Sequence, residues 1–135
     1  MWGYMDKRLV YLCGGINGLS DKECYSWRYY ATSYLHADTL DPMRRDYRGI
    51  EMNHGVAEKI VKGDLEDIER SWLILANHPA PSVGTDMEIF AAKHVFGKPV
   101  ITVVPDLKYV SPWLAFHSDK MFTSLHEAVS YINSL

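Results

Sequence analysis

The chain has 135 residues, of which 47% are hydrophobic, 13% aromatic and 23% charged. That is enough apolar matter for one core and too little length for two, which excludes a multidomain, a disordered or a collagen-like chain and makes residues 1–135 a single domain. Fourteen Lys and Arg stand against seventeen Asp and Glu, a net charge of −3 spread evenly along the chain, so no basic tail or face marks a nucleic-acid binder.

The stretch from Met1 to Arg8 lacks the apolar core of a signal peptide, and no apolar run reaches transmembrane length. Cys13 and Cys24 form neither a disulfide framework nor a metal motif, so a soluble protein of a reducing, cytoplasmic compartment is expected. Leu9 to Cys13 predicts a first strand, stopped by Gly14-Gly15. Ser20 is placed to cap a helix reaching about His36, with Trp27, Tyr30, Ala31 and Tyr34 on one face. Asp38 to Asp41 predicts a short strand ended by Pro42, and the charged stretch from Met43 to Gly55 predicts a surface loop of the kind that carries function.

A second helix is expected over Val56 to Ser71, then a buried strand over Trp72 to Ala76 that Asn77 to Pro81 breaks. Val83 to Phe96 predicts a third helix, closed by Gly97, and Val100 to Val104 a β-branched strand between prolines. A short strand at Met121-Phe122 and a helix from Ser124 to Tyr131 finish the chain. This alternation predicts an α/β fold: a doubly wound, flavodoxin- or Rossmann-like sheet of five parallel strands flanked by helices. In such sheets ligands sit beyond the carboxyl ends of the strands, at Gly14 to Leu19, Asp41 to Gly49, Asn77 to Glu88 and Pro105 to Ser111.

Five features at or near those ends are candidates for chemistry. Glu88 lies early in the third helix, either aimed into the cleft or left in solvent as an ordinary N-terminal carboxylate. Ser82 is placed to cap that helix, whose free N–H groups would make a modest anion site. Gly14-Gly15-Ile16-Asn17-Gly18 is either a loop whose backbone approaches an anion or a plain turn, and it matches neither common phosphate-loop pattern. Tyr11 reads as a core aromatic and Asp64, beside Glu66, Asp67 and Glu69, as part of a solvated acidic face. The six histidines form no HxxxH or HExxH pair, so no metal site is expected, and no GxSxG elbow exists.

Taken in order, these residues resemble a known family. A strand ending Tyr-Leu-Cys-Gly-Gly-Ile, an Asp eight positions before a buried strand, Ser-Val-Gly-Thr-Asp-Met-Glu opening a helix and Phe-Gly-Lys-Pro-Val-Ile after it resemble the nucleoside 2-deoxyribosyltransferase superfamily from Tyr11 to about Asn133. The resemblance implies cleavage of an N-glycosidic bond, with Glu88 as nucleophile, Asp64 as the carboxylate that passes a proton to the departing base, and Tyr11 positioning Glu88. It implies a small-molecule nucleoside or nucleotide substrate met by Gly14, Gly15, Ile16, Asn17, Ser82, Gly84 and Ser111. It implies no cofactor, and a homodimer or larger oligomer with shared active sites.

Within that superfamily, Ser82 and Ser111 stand where the nucleoside 5′-monophosphate N-glycosidases place phosphate-binding serines. The sequence therefore favours N-glycosidic cleavage of a (deoxy)nucleoside 5′-monophosphate through a glycosyl-enzyme on Glu88. Gly84-Thr85 is closer to the transferases, and Gly15 and Asn17 replace the Ser and Arg that the glycosidases offer to phosphate, a loss that Arg44, Arg45 or Arg48 would have to make good. A nucleoside 2-deoxyribosyltransferase is the alternative. A catalytically idle nucleotide-binding module is a third, which the joint presence of Tyr11, Asp64 and Glu88 argues against.

Overall fold

The computed structural model describes residues 8–135, so the reading of the N-terminal segment concerns residues that lie almost wholly outside the described range. Five strands, β1 (Leu9–Gly14), β2 (Asp38–Leu40), β3 (Leu73–Asn77), β4 (Val100–Val103) and β5 (Lys120–Phe122), form one parallel sheet in the order β2-β1-β3-β4-β5. The helices are α1 (Asp21–Tyr34), α2 (Val56–Arg70), α3 (Val83–Phe90), α4 (Pro112–His117) and α5 (Leu125–Asn133). The expected doubly wound sheet is present. Among the described residues no helix is long and apolar enough to cross a membrane.

Side chains alternate across a strand, so each central strand feeds two cores. Val10 and Leu12 of β1 join Leu73, Leu75, Ile101 and Val103 under α1 and α5. Tyr11 and Cys13 turn the other way, joining Ile74, Ala76 and Val100 beneath Ile68 of α2 and Ile89 of α3. β3 and β4 are buried along almost their whole length, which is why they read as unbroken apolar runs rather than as alternation.

Several boundaries differ from expectation. Ser20 does cap α1, reciprocally with Glu23, but the buried stripe is Cys24, Arg28 and Ala31, while Tyr34 is exposed. The Met43–Gly55 loop begins in a 3-10 turn over Pro42–Arg45 whose Pro42 and Met43 are buried, so its charged composition concealed an apolar anchor. The third helix keeps its α-form only to Phe90 and widens into a π-turn over Ala91–Val95, where Phe96 N–H bonds the Ala91 carbonyl. The helix α4, which the sequence reading did not resolve, starts at Pro112 with Ser111 capping it through Leu114 N–H.

Candidate active site

The winding reverses between β1 and β3, where Gly14 and Asn77 are register partners, and a cleft of about 700 Å³ opens beyond their carboxyl ends. Of the residues singled out in the sequence, Gly14, Gly15, Ile16, Asn17, Asp64, Ser82, Gly84 and Glu88 all border it. Tyr11 lies buried beneath the floor. Ser111 does not reach this cleft: it borders a second, apolar cavity of about 780 Å³ between α3 and α4, which meets the first at Ile60, Asp64, Pro81, Gly84 and Glu88.

The glycines of the first loop answer to packing. A Cβ on Gly14 would stand 2.6 Å from Cζ2 of Trp27, and one on Gly15 3.0 Å from Cδ1 of Leu19. Gly14 thus lies against Trp27 of α1 where a side chain would displace the indole, Gly15 meets only the tip of Leu19, and Gly18, at φ +73°, makes the turn that only glycine takes easily.

Glu88 is the centre of the polar cluster. The Tyr11 hydroxyl donates to its Oε1 at 2.9 Å, the Cys13 thiol lies 3.4 Å from the same oxygen, and Asp64 hydrogen-bonds it from α2. Burial, and then the neighbouring Asp64 charge, push the Glu88 carboxyl up to about 8. Burial raises Asp64 as well, opposed by its hydrogen bond with Glu88 and by Arg45. Glu88 is therefore the carboxyl of the pair pushed furthest toward its protonated form, and Asp64 the one that Arg45 favours in its charged form. Tyr11 is raised well above its usual range by burial and by Glu88, so it remains a neutral donor.

The loop arginines are committed to aspartates. Nη2 of Arg45 lies 3.1 Å from Asp64 and 2.9 Å from Asp67, Arg44 reaches Asp67 at 3.0 Å, and Arg48 bonds Asp21 and Asp46 at 2.6 and 2.8 Å. Asp64 and Asp67 are thus the buried anchors of an ion network, which corrects their reading as a solvated face. That Arg45 touches Asp64 has no signature in the sequence, because the two lie 19 positions apart across loop and helix. Ser82 stands at the cap position of α3, yet its hydroxyl caps nothing: it accepts from Thr85 Oγ1 at 3.1 Å and borders the cleft. Trp27, Tyr47 and Ile60 complete the apolar part of the wall. Their positions on α1, a loop and α2 gave the sequence no signal that they meet.

Among the described residues no group of three or more His, Cys, Asp or Glu is arranged to hold a metal ion. No family model matches the chain, and no curated protein matches it in sequence. Solved structures do match it in shape. The 2-deoxyribosyltransferase of the psychrotolerant bacterium Bacillus psychrosaccharolyticus superposes with a TM-score of 0.74 at 16% identity, over 91% of each chain. A conserved protein of Enterococcus faecalis V583 gives 0.72 at 13% identity over 94% of this chain and 98% of that one. The 2-deoxyribosyltransferase of Leishmania mexicana gives 0.65 at 18% identity, over 94% and 97%. At these identities the likeness is one of architecture, and over nine-tenths of its length the chain has the fold of the 2-deoxyribosyltransferases.

Proposed function

We propose that the cleft cleaves the N-glycosidic bond of an uncharged (deoxy)nucleoside and passes the sugar, held on Glu88, to an acceptor base, as a nucleoside 2-deoxyribosyltransferase does. The observation that carries this reading is the convergence of Tyr11 and Asp64 on a half-buried Glu88 at the foot of a cleft roomy enough for a nucleoside. The solved transferases of the same fold support it.

In the first half-reaction the bond from C1′ to the base nitrogen breaks and a bond from C1′ to a Glu88 carboxylate oxygen forms. Positive charge developing at C1′ favours ionised Glu88, so the proton resting there moves to Asp64 and on to the departing base. In the second, an acceptor nitrogen attacks C1′, Glu88 leaves as a carboxylate, and the acceptor's proton returns to Asp64. Tyr11 donates to Oε1 throughout, which fixes the nucleophile and shares the charge it regains.

Hydrolysis of a nucleoside 5′-monophosphate is the second reading, favoured by the Ser82 hydroxyl, which accepts from Thr85 and keeps its own proton for a cleft ligand. Against it stand the arginines: Arg45 and Arg48 border the cleft but face aspartates, which leaves a phosphate no uncommitted cation from that loop. Base release from one deoxynucleoside and from its 5′-monophosphate, with and without an acceptor base, separates the two. A larger kcat/KM for the nucleoside, with acceptor-dependent exchange, supports transfer. Preference for the monophosphate, with release that ignores the acceptor, replaces it with the glycosidase.

We further propose that a second copy of the chain covers the apolar cavity. Met87 and Trp113, 67% and 71% exposed, line it, and Phe116, on the same helix as Trp113, is 70% exposed, more apolar surface than water-facing helices usually carry. A copy seated there would bring its Ser111 toward the neighbouring cleft. Sedimentation of a fully active monomer would overturn this assignment.

A further inference from the structure

Tyr11 accounts for one of the two donors that β1 sends to Glu88. The second is Cys13, two positions along the same strand face, fully buried opposite Ala76 of β3. Its thiol has two acceptors within reach, the Thr85 carbonyl at 3.7 Å and Glu88 Oε1 at 3.4 Å. We propose that Cys13 is a positioning residue for Glu88: with Tyr11 it pins Oε1 from the strand side and leaves Oε2 as the oxygen that attacks C1′. The proposal rests on the reading of Glu88 as nucleophile.

The thiol carries one proton and chooses between two acceptors. Against a neutral Glu88 carboxyl the Thr85 carbonyl competes well, whereas an ionised carboxylate is the stronger acceptor and draws the S–H to itself. Cys13 thus acts selectively on the charged form, the form that performs the attack. The thiol remains protonated while doing so, since burial and then the adjacent Glu88 hold it well above its usual range. A plain packing role would need only the volume of the sulfur.

The test follows the Glu88 carboxyl by carbon NMR in protein carrying 13C-labelled glutamate, its resonance assigned by its absence from Glu88→Gln, together with kcat and KM for base release. Cys13→Ala removes the donor. It is expected to raise the Glu88 midpoint by about half to one pH unit, since a hydrogen bond to the charged form favours that form, and to lower kcat several-fold with KM unchanged. Cys13→Ser keeps a donor and is expected to leave the midpoint at or below that of the wild type. Should alanine prevent folding, Cys13→Val, which fills the space without donating, takes its place in the comparison with serine. A midpoint unmoved in the alanine or valine variant, or moved equally far by serine, overturns the proposal. Full activity in Glu88→Gln instead overturns the nucleophile assignment beneath it, an outcome the NMR midpoints of the Cys13 variants do not depend on.

Discussion

The protonation of Glu88 sets a measurable pH dependence. With its carboxyl at about 8, roughly a tenth of the free protein carries Glu88 ionised at pH 7. For a substrate whose base leaves readily without protonation, kcat/KM reports the ionised fraction of the free enzyme. It should therefore rise nearly tenfold per pH unit below about pH 7, bend near 8 and level off above. Asp64→Asn removes the neighbouring charge, the second cause of the upward shift, while burial, the first, persists. The limb should move to lower pH by about one unit without returning to the ordinary 4.5, so that at pH 6.5 the variant gains on the wild type with the good leaving group and loses with a poor one. Initial rates of base release from pH 5 to 9, with one good and one poor leaving base, measure both effects. A wild-type limb below pH 6, or one that Asp64→Asn leaves in place, would refute the reasoning.

Three other outcomes are expected. Because the folded protein holds Glu88 protonated from about 4.5 to about 8 where the unfolded chain does not, its contribution to stability is present below 4.5 and is lost as pH rises through 8. Glu88→Gln should cancel that slope and melt above the wild type at pH 8 but not at pH 4.5, on the order of 1–3 kcal/mol apart; parallel melting curves at both pH values contradict it. Arg45→Ala strips Asp64 and Asp67 of their shared partner and should cost about 1–2 kcal/mol in urea unfolding at pH 7, shrinking at pH 3 as the aspartates protonate. Gly14→Ala drives a Cβ into Trp27 and should destabilise by about 1–3 kcal/mol, an effect relieved in the double variant with Trp27→Leu if the indole is the obstacle.

The sheet was legible because β-branched and apolar runs bounded by glycine and proline leave few alternatives, whereas Tyr11, Asp64 and Glu88 were singled out by the family resemblance and not by pattern, since on pattern alone Tyr11 is a core aromatic and Asp64 part of a solvated face. What escaped the sequence was contact across the chain. Asp64 looks solvated until Arg45 and Glu88 are folded against it, and the loop arginines look free until their aspartates arrive. Arg28 shows the same failure from inside: on an amphipathic pattern it belongs to the polar face, yet it is 1% exposed, donating to the Gly14 carbonyl at 3.0 Å and facing Asp41. Ser111 is a separate case, since the resemblance assigns it to a site shared between copies. Its cap on α4 holds it to the other cavity of its own chain, and sequence spacing says nothing about which copy a loop serves.

β1 presents Tyr11 and Cys13 to one layer and Val10 and Leu12 to the other, so its alignment decides two things at once. A slip by one residue would point Leu12 at Glu88 and thrust the hydroxyl and thiol into the opposite core. Partly functional misalignments are thereby denied to the protein. Tyr11 and Glu88 are 77 positions apart, so the contact between them is non-local and closes a long stretch of chain. Recovery of the proposed base release during refolding is therefore expected to follow closure of the parallel sheet rather than formation of its separate helices.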